Sequence, residues 1–214
     1  MIGRTKITGT PTERTCAATD IVLSLVSAAC AVYIGTAASV PAEGLALWVW
    51  IFSLSSAAAI LGAAVHGMVL SEELKGRLWR LIYFILGQTV SLFVVAVIYD
   101  IAGRGPALFL LPVMIAAGIG FFCITVARPG RFLPFILYQT AAMAVALIGY
   151  VWAAIQPQSE NAWLFACGIL IIIVGSVLQS CKSLYVVLIW PFDHNSLYHL
   201  CQTVGIVLLA IALR

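Results

Sequence analysis

Long apolar runs, each followed by a short segment rich in charge, proline or glycine, repeat along the whole 214-residue chain. Hydrophobic residues make up 63% of the sequence and charged residues only 9%, whereas soluble domains carry about 25% charged residues. A transmembrane helix needs roughly 20 apolar residues. The pattern therefore predicts an all-α polytopic membrane protein, a bundle of seven transmembrane helices. It excludes a conventional soluble enzyme, and a net charge of only +3 excludes nucleic acid as a partner.

The polar breaks divide the chain into a polar cytoplasmic tail, residues 1–15, and a single seven-helix domain, residues 16–214. The predicted helices cover residues 16–39, 45–70, 81–102, 107–127, 133–155, a sixth segment that begins at 162, and 194–213. The first apolar run is longer than the ~7–15 residues of a signal-peptide core, so we expect an uncleaved first span. After the sixth helix, residues 184–192 either extend that helix or form a short interfacial segment.

Basic residues are distributed unequally between the two sides of the predicted bundle. All of them except Arg104 and Arg214 fall in the N-terminal tail, in the connections after helices 2 and 4, or near the end of helix 6. Cytoplasmic loops of membrane proteins carry an excess of Lys and Arg. The asymmetry therefore predicts a cytoplasmic N-terminus and a C-terminus outside, and we expect the protein in a bacterial inner (plasma) membrane.

The six cysteines lie in or beside the apolar runs and lack the spacing of a metal site or a disulfide framework. Cysteine in such surroundings behaves as a small apolar residue. We therefore expect buried, reduced thiols.

Three ionisable side chains lie at a similar depth near the predicted cytoplasmic surface. Asp20 lies about one turn into helix 1, His66 about one turn before the end of helix 2, and His199 just over one turn into the last helix. Burying an ionisable group in a bilayer costs a few kcal/mol, so each needs a partner or a function. Their common depth is a necessary condition for one shared site.

Polar side chains also recur along one face of several predicted helices. The polar faces contain Asp20, Ser24 and Ser27 on helix 1, Gln88 and Ser91 on helix 3, Ser176, Gln179 and Ser183 on helix 6, and Asn195, His199 and Gln202 on helix 7. Such faces are expected to lie inside a bundle, where they either join helices by hydrogen bonds or form a binding site. Asp193, directly before the last helix, is expected to be its N-cap.

The last predicted helix opens with the segment DHNSLYHLCQ. This segment resembles the seven-helix intramembrane hydrolase superfamily that contains the alkaline ceramidases and the progestin/adiponectin receptors, and a related group of bacterial seven-helix proteins. The resemblance implies a zinc ion near one membrane face, held by one histidine from helix 2 and a His-x-x-x-His pair from helix 7, and cleavage of an amide. His66 matches the helix-2 histidine, and His199 matches the second histidine of the pair.

Two residues depart from the superfamily pattern. Gly62 stands one turn before His66, where the resemblance implies a serine, and Asn195 stands one turn before His199, where it implies a histidine. Asparagine is a weak zinc ligand. A site with three ligands would therefore recruit His194 or Asp20.

The resemblance implies a zinc-dependent hydrolase that acts on a lipid-like amide or ester. The expected metal ligands are His66, His199 and His194, and Asp20 is the expected catalytic proton acceptor. The residues expected to bind the substrate are Gln88, Gln179, Lys182, Asn195 and Gln202. Membrane lipids are the expected partners, and a protein partner or a second copy of the chain is left open.

Two other functions are compatible with the sequence. The first is a non-catalytic membrane protein, an accessory subunit, lipid-binding module or sensor, whose polar cluster is structural; the missing serine and histidine favour it. The second is a transporter of small solutes. A transporter is the weaker alternative because the chain has no convincing internal repeat and no obvious pair of broken helices at mid-membrane.

Overall fold

A computed structural model of the chain describes residues 6–36, 42–128, 132–156 and 161–214. The helices within these residues are α1 (Pro11–Gly35), α2 (Ala42–Gly67), α3 (Glu72–Ala102), α4 (Arg104–Ala127), α5 (Leu133–Ala154), α6 (Ala162–Ser180) and α7 (His194–Ala212). All seven of these helices are long and apolar enough to cross a membrane. The prediction of an all-α, multi-pass membrane bundle is confirmed. Arg4, Arg131 and the predicted end of helix 1 at residue 39 lie outside the described residues.

The first helix begins inside the segment that we assigned to the polar tail. Thr10 takes an extended N-cap conformation, Pro11 occupies the first turn, and Glu13 lies in the same turn; this combination favours a helix start. Before it, Ile7 pairs in antiparallel fashion with Met68 at the end of α2. Residues 11–15 thus belong to α1, because their proline, threonines and charges begin a helix instead of interrupting one.

The third helix also begins earlier than predicted, at Glu72 instead of residue 81. Ser71 caps it, since its hydroxyl accepts a hydrogen bond from the backbone N–H of Leu74 at 3.3 Å. Arg77 and Glu73 form an i,i+4 ion pair on this exposed stretch, a pairing that supports helix in polar sequence. The charged segment after α2 is therefore helical as well as polar.

A short β-hairpin joins α6 to α7. Strand β1 (Tyr185–Val187) pairs with strand β2 (Pro191–Asp193) in antiparallel register, Val186 opposite Phe192. Of the two alternatives for residues 184–192, the helical extension is therefore wrong, because α6 ends at Ser180 and the chain reverses between Val187 and Pro191. Asp193 caps α7 as predicted, since its Oδ1 accepts from the backbone N–H of Ser196 at 2.8 Å.

The helices form a ring in the contact order α1, α2, α3, α5, α6 and α7, with α7 again against α1 and with α4 packed outside α3. Glycines allow close approach at two of these contacts. A Cβ atom at Gly205 would lie 2.9 Å from the carbonyl oxygen of Gly168, so the backbones of α6 and α7 meet directly. A Cβ at Gly87 would lie 2.9 Å from the carbonyl oxygen of Gly118 on α4. Small residues at such contacts are typical of membrane helix packing.

A buried aromatic core lies at the end of the bundle where α2 begins and α3 ends. Trp48 is fully buried and packs against Phe93 and Phe165. Its Nε1 donates a hydrogen bond to Asp100 Oδ2 at 3.2 Å, and the hydroxyl of Tyr150 donates to the same oxygen at 2.7 Å. Four helices are therefore tied together at this end.

The cysteines are all free thiols, but their burial differs from the expectation. Cys16 and Cys30 are buried, Cys201 is half-buried, and Cys123, Cys167 and Cys181 are exposed. The expectation of buried thiols is wrong for the last three. Cys123 and Cys167 belong to helix faces that point away from the ring, where apolar surroundings would be lipid, and Cys181 follows the end of α6.

Candidate functional site

A cavity of about 1010 Å³ occupies the middle of the ring. All six helices of the ring contribute lining residues, and Thr125 and Val126 are added from the end of α4. Along α7 the lining runs from His194 to Leu209, a distance of about 22 Å at 1.5 Å per residue. The volume is at the upper end of the range for small-molecule sites, and the length is a large part of the ~30 Å hydrocarbon core of a bilayer.

The side chains that line the cavity are polar at one end and hydrophobic deeper in the ring. Near the start of α7 it is polar, and this polar end is lined by Asp20, His66, Arg80, Gln179, Lys182, His194, Asn195 and His199. Deeper in the ring it is hydrophobic, and this apolar end is lined by Ile51, Phe52, Phe93, Met143, Ile172 and Leu209. The cavity is therefore amphiphilic, with its charged and imidazole side chains at one end and its most apolar wall at the other.

At the polar end, α1 and α7 bring three candidate metal ligands together. The donor atoms of Cys16, Asp20 and His199 all lie within 4.8 Å of one another, and all three residues are buried. Cys16 and Asp20 lie one turn apart on the same face of α1, and His199 approaches this face from α7. Cys16 Sγ is 3.9 Å from His199 Nδ1, and Asp20 Oδ1 is 3.4 Å from His199 Nε2.

The contacts of Thr19 favour the tautomer of His199 that carries its hydrogen on Nδ1. The Thr19 hydroxyl donates to the backbone carbonyl of Cys16 at 2.9 Å and also lies 3.1 Å from His199 Nδ1. A hydroxyl has one hydrogen to donate, so while Thr19 donates to the Cys16 carbonyl it can only accept from His199, and the tautomer that fits this arrangement carries its hydrogen on Nδ1. In a neutral ring, Nε2 is then an acceptor. It faces Asp20 Oδ1, which is itself an acceptor when the carboxyl is ionised.

Asp20 reaches this position because α2 has a glycine opposite it. A Cβ atom at Gly62 would lie 2.8 Å from Asp20 Oδ2 and 3.1 Å from its Cγ. Oδ2 is buried and has no hydrogen-bond partner in the described part of the chain. Gly62, a departure from the superfamily pattern in the sequence, is thus the residue that makes room for a carboxylate between α1 and α2.

The other two histidines lie outside the group formed by Cys16, Asp20 and His199, as far as the described residues show. His66 Nδ1 pairs with Glu13 Oε2 at 2.6 Å, and its ring packs edge-on against Trp79. His194 lines the cavity at the first position of α7. Because His194 lies five positions before His199, its side chain points about 140° away around the helix. The structure does not bring the three predicted metal ligands together.

Most of the residues expected to bind substrate line the cavity: Gln179, Lys182, Asn195 and Gln202. Gln88 does not belong to the described lining. It lies at the contact of α3 with α4, where its Nε2 is 2.7 Å from the position that a Cβ of Gly118 would take. The periodicity that we used for helix 3 does not distinguish a face turned to the cavity from a face turned to α4.

A hydrogen-bonded chain of side chains crosses the cavity wall. Gln202 Nε2 donates to the Tyr198 hydroxyl at 2.8 Å, and Tyr198 donates to Gln139 Oε1 at 2.9 Å. Gln139 Nε2 in turn donates to Ser176 Oγ at 3.3 Å. These hydrogen bonds link α7, α5 and α6. Sequence reasoning missed Gln139 because it has no polar neighbour at helical spacing, whereas Tyr198 could have been found from its spacing to Asn195 and Gln202.

The sequence model of one protein family matches residues 15–214, a range that includes Cys16, Asp20, Gly62 and His199. The chain belongs to DUF6962, a family of unknown function. No curated protein and no solved structure matches it. Membership in DUF6962 assigns no chemistry, so the function has to be inferred from the geometry of the cavity and its polar end.

Proposed function

We propose that the protein is a zinc-dependent intramembrane hydrolase that cleaves a lipid-like amide or ester at the polar end of the cavity. The observation that carries the proposal is the contact of His199 Nε2 with Asp20 Oδ1, 3.4 Å apart and buried. Two acceptors in this position need a proton or a cation between them, because an unpaired buried charge is costly. Cys16 offers a third ligand for a cation, since one donor atom from each of Cys16, Asp20 and His199 lies within 4.8 Å of the other two.

The chemistry of the three donors fits zinc. Zinc binds cysteine sulfur, histidine nitrogen and carboxylate oxygen, and catalytic zinc sites combine three protein ligands with one open position. The contact of His199 Nδ1 with Thr19 is the kind of second contact that orients a metal-binding imidazole. The proposed ligand set shares His199 with the three histidines expected from the resemblance, and it includes Asp20, the alternative third ligand named from the sequence.

The roles of the chain's own groups follow from their positions. Zinc, when bound, would supply a Lewis acid that polarises the substrate carbonyl and makes water more acidic. Asp20 would bind through Oδ1 and keep Oδ2, which has no partner among the described residues, as a proton acceptor. Gln179 and Asn195 would orient the polar part of the substrate, and the apolar end would hold its hydrocarbon chain and exclude water.

Substitution of each proposed ligand is expected to remove the metal. Purified wild-type protein should contain about one zinc per chain, as a three-ligand site requires, and Cys16→Ser, Asp20→Asn and His199→Gln should each lose it. His194→Gln is the matched control, since it removes an imidazole from the same cavity without touching the group. Elemental mass spectrometry of detergent-purified protein measures the metal, and circular dichroism checks that each variant is folded.

Two results of this experiment would contradict the proposal. Loss of zinc in His194→Gln and retention in Cys16→Ser would assign the metal to the histidines implied by the resemblance. Absence of zinc from wild-type protein, even after zinc is added, would overturn the hydrolase and favour a non-catalytic lipid-binding module or sensor. The hydrogen-bonded chain from Gln202 to Ser176 supports that second candidate, because it shows polar cavity residues joining helices.

We also propose that the N-terminus is cytoplasmic, that the C-terminus is outside and that the membrane is a bacterial inner membrane. The described basic residues on the side of the bundle where the polar end of the cavity lies, including Arg80, Arg128 and Lys182, support this orientation. Alkaline phosphatase fused after Arg214 should be active in a bacterial host, and green fluorescent protein fused there should be dark. The reverse pair of results would invert the orientation.

A further inference from the structure

The Lys and Arg ion pairs of the described residues lie outside the cavity lining. Arg77 pairs with Glu73, and Arg104 pairs with Glu43 at 2.6 Å. Arg80 and Lys182 both line the polar end, and within the described residues neither has a carboxylate within 4.0 Å. Asp20, the acidic side chain in the lining, lies against His199 instead.

We infer that the cavity binds an amphiphile with an anionic headgroup, a carboxylate or a phosphate, which Arg80 and Lys182 hold at the polar end while its hydrocarbon chain fills the apolar end. This inference specifies the headgroup of the proposed substrate. It rests on the proposed function in one respect, namely that the cavity holds a lipid-like molecule. Guanidinium and ammonium groups are donors without acceptors. The group that they bind therefore has to offer acceptors, and a charged acceptor gives the stronger hydrogen bonds.

A second observation specifies the headgroup further. Gln179 Oε1 is a buried acceptor at the polar end, and the described residues offer it no donor. Its amide nitrogen is already used, since Nε2 donates to Asn195 Oδ1 at 3.4 Å. A ligand that satisfies this oxygen carries an N–H or O–H group close to its negative charge, such as an amide N–H or a glycerol hydroxyl.

The dimensions of the apolar end fit a hydrocarbon chain. Phe93, Ile172 and Leu209 line it, and the lining along α7 extends about 22 Å from His194. A hydrocarbon chain that extends over that length packs against these side chains, and its many dispersion contacts contribute to affinity. A headgroup anion alone would leave this part of the cavity empty, so the inference concerns the whole amphiphile and not a free anion.

The test compares amphiphiles that share one hydrocarbon chain and differ in headgroup. The probes are ether-linked monoalkylglycerol phosphate, its neutral monoalkylglycerol and its phosphocholine analogue, the corresponding fatty carboxylate, and inorganic phosphate alone. Ether linkage prevents hydrolysis. Binding to wild-type protein in a non-ionic detergent is measured by native mass spectrometry, and we expect about tenfold tighter binding of the anionic probes than of the neutral one.

Charge-matched variants locate the preference. Arg80→Gln combined with Lys182→Gln should bring the anionic probes to the affinity of the neutral probe and leave the neutral probe unchanged. The control, Lys75→Gln combined with Arg77→Gln, removes the same net charge from residues outside the cavity lining and should keep the preference. All four side chains are exposed, so the variants are expected to fold, and circular dichroism checks this.

The possible results separate this inference from the proposed hydrolase. Equal binding of anionic and neutral probes, or a preference that survives the Arg80 and Lys182 substitutions, would overturn the inference and leave a lipid-like substrate intact. Competition by inorganic phosphate at the same concentration as the anionic amphiphile would also overturn it, because the hydrocarbon chain would then contribute nothing. Failure of every amphiphile to bind would overturn both the inference and the lipid-like substrate.

Discussion

Gly62→Ala is expected to abolish most zinc binding while the bundle stays folded. The added Cβ would lie 2.8 Å from Asp20 Oδ2 and 3.1 Å from Asp20 Cγ and Oδ1, so the carboxylate has to move away from His199. Disturbing the surroundings of a metal ligand typically costs about 10–100-fold in metal affinity, and here the ligand itself is displaced. Zinc content measured against free zinc concentration should show a loss of at least this size.

The control for this prediction is Gly120→Ala. Gly120 is an exposed helical glycine of α4, and a Cβ there would meet no atom of the described residues within 4 Å. The same chemical change should leave zinc binding unaltered and stabilise the helix by about 0.5–1 kcal/mol. Gly62→Ser, which restores the residue implied by the superfamily resemblance, should behave like Gly62→Ala. Wild-type zinc affinity in either Gly62 variant would show that Asp20 is not held between α1 and α2 as a ligand.

The helices could be predicted from the sequence because apolar length alone requires them. Errors arose where polar residues begin or end a helix. Pro11 and Glu13 start α1 inside a polar segment, and Glu72 starts α3 inside a charged one. Hydropathy reports whether a residue prefers lipid, whereas helix boundaries depend on caps and first-turn charges. These boundaries matter for the site, because the early start of α1 gives Glu13 its contact with His66.

The site could be predicted only in part, for a related reason. The depth of a residue along a helix can be estimated from the sequence, and this estimate correctly placed Asp20 and His199 at the same depth. The lateral position of one helix relative to another cannot be estimated from the sequence. His66 was therefore grouped with Asp20 and His199 although it pairs with Glu13. Cys16 was overlooked as a ligand because cysteine in an apolar run was assigned to packing. Its spacing of one turn from Asp20, at the depth of His199, was the signal that could have identified it.

Tertiary contacts also explain why the role of Gly62 could not be predicted from the sequence. A glycine carries no side chain, so its contribution is visible only through what occupies the space beside it. Here that is the carboxylate of Asp20. The same reasoning applies to Gln88, which looked like a cavity residue but faces Gly118 of α4. Sequence periodicity identifies a polar face, and only packing determines which neighbour that face meets.

At the end of the bundle where Trp48 lies, away from the proposed metal site, we expect mutation to lower stability and to leave metal binding unchanged. Trp48→Ala removes the indole that packs against Phe93 and Phe165 and donates to Asp100. Truncation of a buried tryptophan costs about 3–5 kcal/mol of unfolding free energy. In a membrane most of this is lost packing, since lipid is as apolar as the side chain. Unfolding in a graded detergent titration measures the loss.

Two further tryptophan variants separate the contributions to this loss. Trp163→Ala removes an indole that is 54% exposed, so its effect should lie within about 0.5 kcal/mol of zero. Trp48→Phe keeps an aromatic ring but removes the donor to Asp100, which leaves Tyr150 as a donor to that carboxyl, and should cost about 1–3 kcal/mol. Folded Trp48→Ala protein should still bind zinc, because Trp48 lies outside the cavity lining described for residues 6–36, 42–128, 132–156 and 161–214. If it lost zinc while folded, the two ends of the bundle would be coupled and the site would depend on the whole ring.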